Sequence, residues 1–132
     1  KLTKEGAKVM PLKVASAFHS KLMQGAADEF YEQIKNISFK KRLKAFFSNV
    51  TGEQLTDFSD MPSLLARHIV SPVKFTSELN AMSDFGIKTF IELGPNRVLA
   101  GLVKKTLPDA NTYNIENLTT LNSTLNILDS EE

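Results

Sequence analysis

Val14-Ala15-Ser16-Ala17-Phe18-His19-Ser20 decides how the rest of the chain reads. An apolar, strand-like run ends there on a histidine followed by serine, and helical periodicity begins at once. A histidine at a strand-to-helix junction sits where a side chain can be aimed into a cleft. Imidazole exchanges a proton near neutral pH, which makes it a natural general base. The same position also suits a cap or a packed core histidine, and the junction alone does not separate these readings.

Working back from the junction, Val9 to Ala17 carries Val9, Leu12, Val14 and Ala17 as apolar positions, with Pro11 restricting one edge. This reads as an edge or terminal strand. Lys1 to Lys8 is polar and basic, with Gly6 breaking any helix. The chain opens without methionine and its first apolar run follows almost immediately, so it reads as starting mid-domain, a segment of a larger protein.

Forward of the junction, Leu22, Met23, Ala26, Ala27, Phe30, Tyr31 and Ile34 recur at three and four residues. That spacing predicts an amphipathic helix over 20–36 with Ser20 as N-cap and the apolar stripe as core. Lys40-Lys41-Arg42 then reads either as a solvated loop edge or as a docking patch for an acidic partner. Ala45 to Val50 predicts a buried strand closed by Thr51-Gly52. Asp60 as N-cap and Pro62 announce a helix to Val70 that contains the second histidine, His68. A further helix is predicted over 73–85, with Phe75, Leu79 and Met82 inward and Gly86 ending it. Ile87 to Leu93 is a strand, Gly94-Pro95-Asn96 a tight turn, and Arg97 to Leu107 a helix. The turn admits a structural or a phosphate-binding reading, since its amides face whatever lies beyond the strand. Thr112 to Ile115 reads as a short strand. Thr119 to Leu128 reads as a helix with Leu121, Leu125 and Leu128 on one side, and the acidic end 129–132 as frayed.

The bulk properties narrow the class. The 132 residues, 42% hydrophobic and 23% charged, suffice for one compact globular domain. A net charge of +1 gives no global field for nucleic acid or an anionic membrane. With no cysteine, disulfides, a thiol nucleophile and thiolate-bound metal are excluded in these residues; two histidines without clustered acidic ligands argue against any metal site. No apolar run approaches a bilayer span, so a cytoplasmic protein is expected. Strands alternating with helices imply an α/β fold with a mainly parallel sheet and flanking helices. Ligands gather at the carboxyl ends of such strands, where His19, Asn49 and Gly94 are all predicted to fall.

Four motifs together resemble a known family. Ala17-Phe18-His19-Ser20-Lys21-Leu22-Met23 resembles the histidine motif of malonyl-CoA:acyl carrier protein transacylases and polyketide synthase acyltransferase domains. Ser48-Asn49-Val50-Thr51-Gly52, Ser71-Pro72-Val73-Lys74-Phe75 and Phe90-Ile91-Glu92-Leu93-Gly94-Pro95-Asn96-Arg97-Val98-Leu99 resemble the family's later motifs, in the same order. The match is to the C-terminal part of that fold. It implies that residues 1–15 end the small inserted subdomain and 16–128 return to the large one.

The resemblance implies a malonyl group carried from malonyl-CoA to the phosphopantetheine thiol of an acyl carrier protein through a malonyl-serine ester, in fatty acid or polyketide biosynthesis. No cofactor is bound permanently; malonyl-CoA is the substrate. His19 matches the catalytic histidine. The backbone carbonyl that orients it falls at or beside His68, whose side chain is then not catalytic and suits a helix end. Asn49 belongs to the layer behind the site. Ser16 and Phe18 lie in the four residues associated with extender choice: a bulky Phe18 resembles malonyl-selective members, while Ser16 departs from the commoner histidine. Phe18 also reads as simple core. Lys40, Lys41 and Arg42 are the candidate carrier-binding residues. The chain lacks a Gly-x-Ser-x-Gly elbow and the arginine that holds the malonyl carboxylate, so it is expected to be inactive without an upstream segment of its own domain. An editing acyl hydrolase of the same fold, or a non-catalytic carrier-docking piece, are the alternatives.

Overall fold

The structure, a computed structural model, describes residues 2–8, 16–40 and 43–130. After 3-10 turns at Leu2–Glu5 and Lys21–Met23 come α1 (Gln24–Ile34), β1 (Phe47–Ser48), β2 (Glu53–Gln54), α2 (Met61–Val70) and α3 (Phe75–Asp84). The chain continues through β3 (Thr89–Leu93), α4 (Val98–Thr106), β4 (Asn111–Ile115) and α5 (Leu118–Ser130). The first predicted strand falls largely on 9–15, outside the described residues; Ser16 is a bend and Ala17 has no regular structure.

β3 and β4 pair in parallel, from Thr89 opposite Asn111 to Leu93 opposite Ile115, with α4 as the crossover. α3 and α4 close one hydrophobic core: Leu79, Val103 and Ala110 are buried, with Phe75, Met82, Phe90 and Leu107 against them. Leu79, at 1% exposure, is the largest fully buried side chain among the described residues.

Local chemistry fixes the helix ends. The Asp60 carboxylate accepts the Ser63 amide at 3.1 Å and starts α2. α3 ends in a Schellman motif: Gly86, at φ 95°, donates to the Ser83 carbonyl, and the Ile87 amide donates to that of Met82. α5 opens on a reciprocal cap. Asn117 Oδ1 accepts the Thr120 amide at 3.0 Å, and Thr120 Oγ1 accepts the Asn117 amide at 3.1 Å.

Three expectations change. Ala45 to Val50 is not a strand of the parallel sheet; Phe47 and Ser48 pair antiparallel with Gln54 and Glu53 in a short hairpin. The Gly52 amide bonds the Ser48 carbonyl at 2.7 Å, and this tight reversal leaves room for two residues per strand. Asn49 therefore sits in a turn, not at the carboxyl end of a parallel strand. The α1 stripe is not all core: Ala27 is buried, but Phe30 and Tyr31 are exposed and Leu22, just before the helix, is 85% exposed. α2 is the helix packed against α1, and the buried residue it contributes is also small, Ala66. On α5 the buried residue is Thr124, while Leu125 points outward.

One buried acid has a measurable consequence. Glu78 on α3 is buried and its Oε2 has no partner. Burial alone holds its carboxyl above the ordinary 4.5. Between 4.5 and that raised value the folded chain binds more protons than the unfolded one, so stability falls as pH rises through this window. Glu78→Gln should then raise the melting temperature by a few degrees at pH 8 and leave it unchanged at pH 4. Equal effects at both pH values would contradict this account.

Candidate active site

The last carbonyls of a helix have no partner within it, and the end of α2 offers them to the segment around His19. The His19 amide donates to the Ile69 carbonyl at 2.8 Å, and His19 Nδ1 lies 3.1 Å from the His68 carbonyl. A carbonyl can only accept, so the ring proton resides on Nδ1 and Nε2 is the free acceptor. His19 is exposed at φ 63°, a left-handed conformation that costs an L residue about 1–2 kcal/mol. Contacts from outside the segment must hold it there.

The imidazoles of His19 and His68 face each other at a centroid separation of 5.6 Å, tilted by 50°. The Phe18 ring is also near, 6.4 Å from that of His19, and is 57% exposed, so it is a wall beside the imidazole and not core. Ser16 is exposed at the start of the same turn. Behind His68 a groove of roughly 230 Å³ runs between the hairpin and α2, lined by Phe47, Ser48, Asn49, Leu64 and Leu65 among others. Asn49 Oδ1 is buried there without a partner, while the Asn49 carbonyl accepts the Lys74 amide at 2.9 Å. Lys40 is exposed in a loop; Lys41 and Arg42 lie outside the described residues. Among the described residues no three His, Asp or Glu side chains could share a metal ion, and no helix is long and apolar enough to cross a membrane.

The structure brings His19, His68 and Phe18 together, with Asn49 in the groove that His68 also lines. It does not bring the turn at Gly94 into an anion site. Glu92, on β3, reaches the start of α4: Oε1 accepts the Leu99 amide at 3.1 Å and Oε2 that of Ala100 at 2.9 Å. Glu116 Oε2 takes the Asn96 amide at 3.0 Å, and Asn114 Nδ2 donates to the Gly94 carbonyl at 3.0 Å. The protein's own carboxylates occupy the amides a phosphate would need, so the turn is structural. Glu92→Ala removes two charge-assisted bonds that tie strand to helix and should destabilise by about 2 kcal/mol. Chemical denaturation checks this; a loss under about 0.5 kcal/mol would show that water replaces the carboxylate.

No family model matches the chain. A malonyl CoA-acyl carrier protein transacylase of Bacillus subtilis (strain 168) is 41% identical over 106 residues, covering 79% of this chain and 33% of the relative. One component of the polyunsaturated fatty acid synthase of Thraustochytrium sp. is 42% identical over 110 residues, covering 82% of this chain and 4% of that protein. The crystal structure of malonyl CoA-acyl carrier protein transacylase from Clostridium perfringens superposes with a TM-score of 0.92 at 32% identity, over 98% of this chain and 41% of that one. The chain belongs to the malonyl-CoA:acyl carrier protein transacylase and polyketide synthase acyltransferase family, matching its C-terminal part. It spans about a third of the bacterial transacylase's length. Its α/β architecture is thus that of the C-terminal part of the transacylase fold.

Two contacts escaped sequence reasoning. The Ile69 carbonyl is a main-chain group with no residue-type signal. The Glu92 clasp had one: an acid placed six residues before the first helical residue, across a Gly-Pro turn.

Proposed function

We propose that this chain supplies the general base of an acyltransferase moving a malonyl group from malonyl-CoA to the phosphopantetheine thiol of an acyl carrier protein. The observation that carries the reading is the contact of His19 Nδ1 with the His68 carbonyl. It fixes the tautomer and leaves Nε2 open to take a proton. The kinship supports the substrate class.

In this reading the nucleophile is a serine from chain outside these 132 residues, and without it the chain is inactive. His19 Nε2 takes the serine proton as the oxygen attacks the thioester carbonyl. The tetrahedral adduct collapses, the carbon–sulfur bond breaks, and Nε2–H protonates the leaving CoA sulfur. The malonyl-serine ester is then attacked by the carrier thiol, whose proton passes to Nε2 and on to the departing serine oxygen. The His68 carbonyl holds Nδ1–H through all four transfers, and the His68 side chain exchanges no proton. Asn49, in the groove that His68 also lines, belongs to the layer behind the site. Phe18, exposed beside the imidazole, supports selection of malonyl, since its ring crowds a substituent on the α-carbon; Ser16 borders it. Lys40, Lys41 and Arg42 offer positive charge to an acidic carrier.

Intact mass spectrometry of the native protein, first with malonyl-CoA and then with carrier protein, tests this. A malonyl adduct that moves to the carrier is expected. An adduct released as free acid without reaching the carrier would mark a hydrolase, and no adduct would leave a docking role.

A further inference from the structure

We propose that Ser20 is a positioning residue for the His19 imidazole, acting through the main chain; this rests on the reading of His19 as the base. Residues 17–20 reverse the chain, with His19 third in the turn at φ 63°. In an ordinary turn of this kind the fourth residue's amide closes onto the first carbonyl. Here the Ser20 hydroxyl also reaches that carbonyl, donating from Oγ to the Ala17 oxygen at 2.7 Å. The same Oγ accepts the Leu22 amide at 3.3 Å, and the Ser20 carbonyl takes the Met23 amide at 3.1 Å. One side chain therefore locks the turn in front of the imidazole to the helical turn behind it.

The geometry of His19 has three supports. Two come from α2, the carbonyls of Ile69 and His68. The third is local and depends on a hydroxyl. α2 can hold the ring only while the backbone presents it, and a non-glycine residue at positive φ relaxes toward negative φ once released. That relaxation turns Nδ1 away from the His68 carbonyl and frees the imidazole to adopt either tautomer. Ser20 itself is extended (φ −139°, ψ 161°), a conformation in which threonine is comfortable, so a threonine hydroxyl can take over both bonds.

The test compares Ser20→Ala and Ser20→Thr in the native protein, reading kcat, KM, melting temperature and long-range proton–nitrogen NMR of the ring nitrogens. Ser20→Ala is expected to lower kcat about tenfold or more with KM within about twofold, and to convert His19 from Nδ1–H to a mixture of tautomers. Ser20→Thr is expected to restore kcat to within about threefold and to keep Nδ1–H. An unchanged histidine spectrum in Ser20→Ala, or a Ser20→Thr as impaired as Ser20→Ala, would overturn the proposal. The ring spectrum reads positioning even if His19 proves dispensable for acyl transfer, so failure here and failure of the base reading are separable.

Discussion

Replacing His19 by asparagine should lower acyl transfer in the native protein about a thousandfold while leaving the fold intact. Asparagine is among the residues that best tolerate positive φ, so the turn at 17–20 and the amide bond to Ile69 are preserved. What disappears is a ring nitrogen able to take a proton from a hydroxyl or a thiol. Both halves of the proposed cycle need it, so formation of the acyl-serine and its transfer to the carrier should fall together. His68 cannot substitute, although its ring is 5.6 Å from that of His19, because the carbonyl that would orient the imidazole is its own. Residual transfer above about a tenth of the parent rate would show that the base lies elsewhere.

Gly52→Ala should destabilise the chain by about 3 kcal/mol, through two separable costs. Gly52 has φ 77°, which a side chain makes unfavourable wherever it points. A Cβ there would also lie 2.7 Å from the Ser77 Cβ and 3.2 Å from that of Lys74, both on carbons fixed by the backbone. The hairpin turn thus packs directly on the start of α3, and the bond from the Lys74 amide to the Asn49 carbonyl depends on that approach. Ser77→Gly removes the shorter contact but not the dihedral cost. In a double-mutant cycle it should recover part of the loss and leave the rest. Full recovery would mean that the dihedral cost is negligible; a single loss below about 1 kcal/mol would mean that the turn moves freely off α3. Because the turn carries Asn49 into the groove lined by His68, the variant should also lower kcat.

Much of the architecture can be read along the chain because its signals are local. Asp60 and Pro62 announce α2, Gly86 ends α3, and the run from Ile87 to Ile115 spells strand, turn, helix and strand in order. The hairpin is hidden because two residues per strand cannot display alternation. The α1 stripe shows which face is apolar but not what covers it, so Phe30 and Tyr31 read as core and stand exposed. On α5 the side expected to carry Leu121, Leu125 and Leu128 does not hold together, since Leu125 is exposed and the buried residue is Thr124. At the site, His19 is visible from its junction and from its motif. Of its supports, the carbonyl at His68 is expected from the motif resemblance alone, and the Ile69 carbonyl is not: both lie about fifty residues away and carry no side-chain signature. Ser20 is visible as a cap, but its bond to Ala17 is a property of the folded turn.

Everything proposed for the site depends on main-chain carbonyls at the end of α2 presenting His19 as an Nδ1–H imidazole with Nε2 free. Long-range proton–nitrogen NMR of the native protein reads each histidine ring, and the His19→Asn variant identifies the His19 pattern by its loss. The pattern lost in that variant is expected to be the Nδ1–H tautomer. An Nε2–H pattern for His19, or rapid exchange between the two, would contradict the account.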